Sequence, residues 1–314
     1  MLQYLVRRLA LMVPVAFLVS LVVFSLIHLT PVDPAALMLG EERTPQAVTA
    51  LRHQLGLDRP LPEQYVTWLS HALHGDLGRS IRTDQPVVQA IFERLPATLE
   101  LGFAALAWSV LVAIPLGTIA ALKRGSPIDV LATGFTIAGV SVPNFFIGIL
   151  LILTLSVGLR LFPPGGYTPL TESIPDNLHR LILPAITLGT VTTAINTRFT
   201  RSSMLDVLRQ DYIRTARAKG ASWRQVIVGH ALKNALIPVV TIIGIQVGSI
   251  LEGALVTETI FSWPGVGKLA IDSIFGRDYP IIQGIVLVIA LAYMFSNLAV
   301  DLAYAWLNPR ISYT

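Results

Sequence analysis

The chain has 314 residues, of which 53% are hydrophobic and 13% charged, and its formal net charge is +4. Because a soluble globular domain carries about twice that fraction of charged residues, the composition excludes an ordinary soluble protein and indicates a bilayer. There is no cysteine, which excludes disulfides, thiolate metal sites and a cysteine nucleophile.

Six apolar stretches follow one another along the chain, each near the roughly 20 residues that a helix needs to cross a hydrocarbon core. They are residues 9–29, 101–122, 131–155, 181–197, 235–256 and 281–302. The first follows Arg7 and Arg8, but it is too long for a secretory signal and no small-residue cleavage site follows it. We therefore predict an all-α fold, a polytopic bundle of six transmembrane helices.

The distribution of Lys and Arg predicts the orientation, because positively charged loops stay in the cytoplasm. With the N-terminus inside, the inner segments hold more than half of the 23 Lys and Arg residues. The outer loops are longer and hold most of the acids. We expect both termini in the cytoplasm.

The long segment between the first two spans, residues 30–96, carries three helix starts. Thr44-Pro45 predicts a helix that Gly56 closes, Pro62 begins 63–74, and Pro86 begins 87–94. This divides the chain into 1–29, the N-terminus and first span; 30–96, a helical periplasmic insertion; and 97–314, a five-helix core.

Within that core, residues 200–233 form a basic loop. Asp211 is predicted to cap a short helix that runs to Lys219, Gly220 suits a left-handed stop, and Ser222 with Gln225 forms a capping box. A loop that only attracts anionic lipid needs charge but no fixed shape, so the pattern favours docking of a protein partner. Its cations are not interleaved with aromatic residues, so we expect no nucleic-acid partner.

Polar side chains inside the spans are costly and need a reason. Gln246 and Asn297 are predicted either to line a polar path for a solute or to make interhelical hydrogen bonds. Glu252 and Asp301 lie away from the midplane, where a proton relay would be expected. The full set is Asn144, Asn196, Gln246, Glu252, Asn297 and Asp301.

The outer segment after the fifth span, residues 256–280, is too irregular to span and too apolar for a free linker. We name its part from Glu258 through Phe261 and Trp263 to Gly265 the gate segment. Two interpretations stay open: an external gate packed at the outer mouth of the bundle, or an interfacial turn anchored by its aromatic residues. The following Gly-Val-Gly-Lys is not a phosphate-binding loop, since Ser262 and Leu269 occupy two required positions.

The loop from Asp211 to Gly220 and from His230 to Pro238, together with several short sequences elsewhere in the chain, resembles the ABC importer permeases of the dipeptide, oligopeptide and nickel branch, and most closely the first of their two permease subunits. That loop is the most specific match. Others cover nearly the whole chain: Tyr4-Leu5-Val6-Arg7-Arg8-Leu9, Pro31-Val32-Asp33-Pro34, Gly75-Asp76-Leu77-Gly78, Thr98-Leu99-Glu100-Leu101, Thr200-Arg201-Ser202-Ser203-Met204, Phe261-Ser262-Trp263-Pro264-Gly265 and Asn308-Pro309-Arg310.

The resemblance implies a permease subunit, not an enzyme, in the bacterial cytoplasmic membrane. It implies a second homologous permease, two cytoplasmic ATPases that bind the ATP and Mg, and a periplasmic or lipid-anchored binding protein that delivers solute. The chain itself is expected to bind no cofactor or metal. Short peptides are the expected solutes, with glutathione or nickel chelates as alternatives.

The resemblance also assigns residues. The loop is expected to dock as a coupling helix on an ATPase through Asp211, Tyr212, Arg214, Thr215, Ala216, Arg217 and Gly220. The translocation path and outer gate are expected at Asn144, Gln246, Asn297, Glu258, Phe261 and Trp263. Two rivals from other classes are a stand-alone secondary transporter and an intramembrane hydrolase that uses His28, the one histidine inside a span.

Overall fold

The computed structural model describes residues 2–28, 34–39, 44–54 and 56–307. In this part of the chain there are helices and turns but no β-strand, which confirms the all-α prediction. The α-helices are α1 (Leu2–His28), α2 (Pro34–Leu39), α3 (Pro45–Gln54), α4 (Leu61–Leu73), α5 (Val87–Leu122), α6 (Pro127–Ser141), α7 (Asn144–Leu151), α8 (Ile174–Leu208), α9 (Asp211–Ala218), α10 (Lys233–Ile260), α11 (Val266–Gly276) and α12 (Tyr279–Leu307). Two π-helical stretches, Ile152–Gly158 and Gln225–Leu232, continue α7 and lead into α10.

The polytopic character is also confirmed. Five helical segments are long and apolar enough to cross a membrane, and one further pair meets the same criterion only when its two helices are taken together. The described part of the chain therefore has up to six helical segments that could span a membrane. The five single segments are Val6–His28, Val87–Leu122, Ile174–Leu208, Gln225–Gln246 and Tyr279–Ala299.

The third predicted span, 131–155, is not one straight helix. It consists of Pro127–Ser141 and Asn144–Gly158, which are bent by 110° with respect to each other. The cause is Pro143, whose ring disfavours helical backbone in the residue before it. Val142 accordingly adopts an extended conformation, with ψ 126°. An apolar composition favours membrane insertion, but it does not make a helix continuous.

The second predicted span, 101–122, also differs, because the helix that contains it begins well before the apolar stretch. The short helix predicted at 87–94 does not end there; it continues through Pro96 into α5, a single helix of 36 residues. The helix predicted after Thr44 is α3, and Gly56 follows it with φ 68°. Its N–H donates to the His53 carbonyl oxygen at 3.1 Å, as expected of a helix stop.

The described residues form two compact units, of which the first comprises 1–96 with 268–314. In it α1 packs against α4 and α12. The Gln283 side chain donates to the Val23 carbonyl oxygen at 2.9 Å, and the hydroxyls of Ser20 and Tyr65 lie 2.7 Å apart. The buried Asp278 accepts a hydrogen bond from the Ser80 hydroxyl at 2.5 Å, which joins the turn before α5 to the start of α12.

The second unit comprises residues 97–267 and is organised around α8. This helix contacts α6, α7 and α10, and 16 of its residues are buried. Small residues allow the close approach: a Cβ added at Gly189 would lie 2.8 Å from the Ala105 carbonyl oxygen, and one at Gly117 2.7 Å from that of Thr197. The predicted span 181–197 is therefore the middle of the unit's central helix.

Most buried hydroxyls on α8 are satisfied within the helix itself, whereas that of Thr200 has no partner among the described residues. Each of four threonines donates to the backbone carbonyl oxygen four residues earlier, at distances between 2.6 and 2.8 Å. A hydroxyl bonded in this way needs no partner from another helix, so it can lie in an apolar environment. These residues are Thr187, Thr190, Thr193 and Thr197.

Candidate functional site

The predicted docking loop begins where α8 ends, with α9 starting two residues after Arg209. Asp211 was expected to cap this helix, but that prediction is wrong: Gln210 is the N-cap residue, and its side chain makes no capping hydrogen bond. Asp211 lies one position later, inside the first turn. There its carboxylate is placed favourably against the positive end of the helix dipole.

The predicted end of the helix and the capping box are both present. Gly220 has φ 82°, and its N–H donates to the Arg217 carbonyl oxygen at 2.9 Å. The Gln225 side-chain oxygen accepts from the Ser222 N–H at 2.9 Å, while the Gln225 N–H donates to the Ser222 hydroxyl at 3.4 Å. This reciprocal pair starts the helix that leads into α10.

One face of α9 is fixed in the interior of the second unit. Ile213 is fully buried and packs in a cluster with Met204 of α8 and Val226 of the following helix, and Ala216 packs against the same cluster. Burying a side chain such as Ile213 contributes about 1.5–3 kcal/mol. The helix is thus mounted on the bundle by apolar contacts.

The opposite face of α9 is exposed. It carries Asp211, Tyr212, Arg214, Thr215 and Arg217. Asp211 and Arg214 form an ion pair of 3.3 Å with both side chains largely in solvent, which contributes little to stability. The predicted docking residues therefore divide into an exposed set and Ala216, which faces inward, with Gly220 exposed at the end of the helix.

Two contacts hold α9 against the helix that follows it. The Tyr212 hydroxyl accepts a hydrogen bond from the Asn234 side chain at 3.0 Å. The guanidinium carbon of Arg217 lies 4.3 Å from the centre of the Trp223 ring, a cation–π contact worth about 0.5–1 kcal/mol at an exposed site. Neither could be found by spacing, because both join residues across the turn.

The predicted gate segment is enclosed within the second unit. Glu258, Phe261 and Trp263 are all fully buried. The Trp263 indole N–H donates to the Ala97 carbonyl oxygen at 2.8 Å. The interfacial-turn interpretation is therefore wrong for these aromatic rings, which pack inside the protein.

Thr98 connects the two ends of this segment. Its hydroxyl donates to Glu258 Oε1 at 2.7 Å and accepts from the Val266 N–H at 2.8 Å. Gly265 leaves room for the carboxylate, since a Cβ there would overlap Glu258. One hydroxyl thus fixes the end of α10 and the start of α11 on α5.

A second carboxylate, Glu100, lies two residues after Thr98 on α5. It accepts from the Tyr167 hydroxyl at 3.0 Å and from the Asn177 amide at 2.5 Å. Burial, and then the neighbouring Glu100 carboxylate, raise the pKa of Tyr167 to about 12, so this phenol remains a neutral donor. Its ring packs edge-on against Trp263 with centroids 4.7 Å apart. The connection before α8 therefore belongs to the same polar cluster.

The polar residues predicted inside the spans lie in different environments. Buried side-chain oxygens of Asn144 on α7 and Gln246 on α10 have no hydrogen-bond partner among the described residues. Asn196 donates to the Ser109 hydroxyl at 3.0 Å, an interhelical bond. Asn297 is half-buried on α12, in the first unit. The side chains of Glu252 and Asp301 lie outside the described residues.

One ion pair was missed by the sequence analysis. Arg201 on α8 donates through Nε and Nη2 to the two carboxylate oxygens of Asp129, at 2.5 and 2.9 Å. Ser126-Pro127 with Asp129 is a recognisable helix start, and the Ser126 hydroxyl accepts from the Asp129 N–H. Its partner Arg201 lies 72 positions later in the sequence, so no local pattern predicts the ion pair.

The histidine of the hydrolase alternative faces amide oxygens. The ring nitrogens of His28 lie 3.2 Å from the Phe24 carbonyl oxygen and 3.1 Å from Gln64 Oε1. In the first unit no nucleophilic side chain is hydrogen-bonded to this ring among the residues described. The geometry gives that alternative no support.

Comparison with known proteins identifies the family. Residues 113–313 match the family described as binding-protein-dependent transport system inner membrane component, and residues 1–102 match the N-terminal part of such membrane components. The chain belongs to this family. It is therefore an integral inner-membrane permease subunit of an ABC importer, as the resemblance implied, and family membership disfavours a stand-alone secondary transporter.

Full-length relatives have closely similar sequences. The permease is 44% identical to the dipeptide transport system permease protein DppB of Escherichia coli strain K12, over 99% of each chain. It is 45% identical to the di/tripeptide transport system permease protein DppB of Pseudomonas aeruginosa strain UCBPP-PA14, again over 99% of each chain. It is 43% identical to the glutathione transport system permease protein GsiC of Escherichia coli O6:H1 strain CFT073, over 100% of each chain.

One solved structure shares the fold of the permease. It is described as the crystal structure of an amino acid ABC transporter with histidines, and it matches with a TM-score of 0.52 at 15% identity. The match covers 69% of this chain and 93% of the other. At that identity the likeness concerns the fold alone.

Proposed function

We propose that this permease imports short peptides, with di- and tripeptides as the first choice and glutathione as the second. The proposal is supported by relatives of both kinds that align along the entire chain. Glutathione is itself a tripeptide derivative, so the two alternatives differ in side-chain and linkage chemistry and not in size class. Nickel chelates remain a third alternative.

The observation that carries the mechanism is the construction of α9. Its apolar face is fixed in the bundle through Ile213, while its charged face is exposed. A helix held in this way moves together with the spans that it contacts. An ATPase that binds the exposed face can therefore bias two states of the bundle, because coupling requires contacts that differ between those states.

In this proposal the other components of the importer are separate chains. Two cytoplasmic ATPases bind ATP and Mg, a second homologous permease completes the path, and a periplasmic or lipid-anchored binding protein delivers the peptide. This chain has no catalytic role. Both termini and the basic loop at 200–233 face the cytoplasm, and residues 30–96 form the periplasmic insertion before the five-helix core.

The path is proposed to include Asn144 and Gln246, with Asn297 as a further candidate. The side-chain oxygens of the first two are buried without a partner among the described residues, and a buried unsatisfied acceptor is costly. Water or the N–H groups of a passing peptide would satisfy them. Glu258, Phe261 and Trp263 are proposed to fix the outer gate from inside and not to touch solute.

The first test is co-purification of the partner ATPase with the intact permease and with Arg214→Glu. We expect the variant to lose at least most of the bound ATPase while keeping its thermal unfolding temperature, because Arg214 is exposed. Arg59→Glu makes the same charge change on another exposed residue and serves as the matched control. Retention of ATPase by Arg214→Glu would contradict docking through α9.

The solute is tested separately in proteoliposomes that contain the complete importer. Uptake of a labelled dipeptide, a labelled tripeptide and labelled glutathione is measured with and without ATP. We expect ATP-dependent uptake of at least one of the peptides. ATP-dependent transport of a nickel chelate with no peptide uptake would contradict the peptide proposal, whereas the docking result would stand.

A further inference from the structure

A groove between α6 and α8 has a lining that neither docking nor the path explains. Its volume is about 490 Å³. Both helices belong to the second unit and pack against each other. The groove is lined by Ala132, Thr133, Thr136, Ile137, Val140 and Ser141 of α6 and by Thr197, Arg198 and Arg201 of α8.

One end of the groove is cationic and held rigidly. Asp129 is nearly buried and takes two hydrogen bonds from Arg201 and a third from the Gly125 N–H at 2.9 Å. The Nη1 group of Arg201 donates to no acceptor among the residues described. The fork therefore fixes a guanidinium that still has free N–H groups.

The second cation at this end is Arg198, one turn earlier on α8. It is exposed, and no carboxylate in the described part of the chain pairs with it; its guanidinium carbon lies 5.8 Å from the Phe199 ring centre. The groove thus carries two guanidiniums, of which only that of Arg201 is paired with a carboxylate in the described part of the chain. The excess positive charge at this end is complementary to an anion.

Apolar side chains and four hydroxyls line the rest of the groove. Ile137 and Val140 are 64% and 53% exposed, on a helix pair that is apolar enough to cross the membrane. The Thr136 hydroxyl donates to the Thr133 carbonyl oxygen at 2.8 Å and the Thr197 hydroxyl to that of Thr193 at 2.7 Å. Their O–H groups are therefore already used within the helices, so the donors left for a ligand are the two guanidiniums and the hydroxyls of Thr133 and Ser141.

We propose that this groove binds an anionic phospholipid. The headgroup phosphate accepts hydrogen bonds from Arg198 and from Nη1 of Arg201, and an acyl chain lies along Ile137 and Val140. A free phosphate would gain the ionic contacts but nothing from the apolar strip, whereas an acyl chain gains about 25 cal/mol per Å² of apolar surface that it covers. Basic pockets between membrane helices bind anionic headgroups for this reason.

The experiment is native mass spectrometry of the full chain, purified with its partner subunits and titrated with phosphatidylglycerol or phosphatidylcholine. We expect preferential retention of phosphatidylglycerol. Arg198→Gln should weaken it about fivefold, the factor that corresponds to ~1 kcal/mol for one arginine at an anionic surface. Arg198→Lys should retain most of the binding, and Arg209→Gln, an exposed cation outside the groove, should not change it. Equal retention of the two lipids, or no change in Arg198→Gln, would overturn the proposal.

Two further experiments distinguish a bound lipid from a soluble anion or another protein chain in the groove. Excess inorganic phosphate should leave the lipid bound; displacement of the lipid by phosphate would assign the groove to a soluble anion. Because this chain has no cysteine, Thr133→Cys gives it a single site for a spin label, which is attached to the permease before it is assembled with its partner subunits. We expect that label to be accessible to oxygen from the lipid phase, and a label shielded by another protein chain would refute lipid occupancy.

Discussion

The loop that contains α9 and the gate segment, Glu258 to Gly265, both lie where one long helix ends and the next element begins, but they distribute their side chains in opposite ways. The loop buries Ile213 and exposes its charges, whereas the gate segment buries Glu258, Phe261 and Trp263. Each also contains one residue in the left-handed region, Gly220 at φ 82° and Ser262 at φ 51°. An irregular connection can thus be a surface for a partner or an internal part of the bundle, and burial decides which.

The largest difference in stability between the two segments is expected from alanine substitutions of one tryptophan in each. Trp263→Ala should destabilise the permease by about 3–5 kcal/mol, because it leaves a cavity and removes the donor to the Ala97 carbonyl oxygen. Trp223→Ala, the matched change beside α9, removes a half-exposed ring and should cost less than about 1 kcal/mol. Thermal unfolding of both purified variants in detergent gives the two values. Similar losses of stability in the two variants would contradict the difference in burial between the two segments.

An intermediate effect is expected at Thr98, which holds both ends of the gate segment. Thr98→Val keeps the shape but removes the donor to Glu258 and the acceptor for the Val266 N–H, at a cost of about 1–3 kcal/mol. Thr98→Ser retains the hydroxyl and should restore most of the stability. Denaturation of both variants is compared, together with ATPase activity in the complete importer. Equal stability of the Val and Ser variants would show that packing, and not the hydroxyl, fixes the segment.

A smaller stability effect than at Trp263 or Thr98 is expected at Gly220, within the loop. Gly220→Ala forces an alanine to φ 82°, which costs about 1–2 kcal/mol locally. Gly229→Ala also adds a methyl group to open space, but within a helix, where alanine is favoured. We expect faster amide exchange across α9 only in Gly220→Ala, measured by hydrogen exchange with mass spectrometry. Unchanged exchange would mean that the Ile213 contact alone defines the loop.

Helix-ending signals in the sequence predicted much of the loop correctly, and they failed where the decisive contact was distant. Gly220 and the Ser222–Gln225 box lie within a few residues of their partners, so local chemistry specifies them. Asp211 failed as a cap because the helix begins at that residue, one position later than a cap would lie. At Pro143 the local signal for a break was present, but the apolar composition of the span concealed it.

The sequence by itself determined the membrane class, the approximate positions of the spans, the capped basic loop and the family, because hydropathy, capping and motif spacing are local properties. The tertiary structure alone decided that the gate aromatics are interior, that Thr98 joins Glu258 to Val266, and that Arg201 reaches Asp129. These contacts join residues 72 to 168 positions apart. Such pairings depend on how helices pack, and packing is determined by shape complementarity across the whole unit, not by any short stretch of sequence.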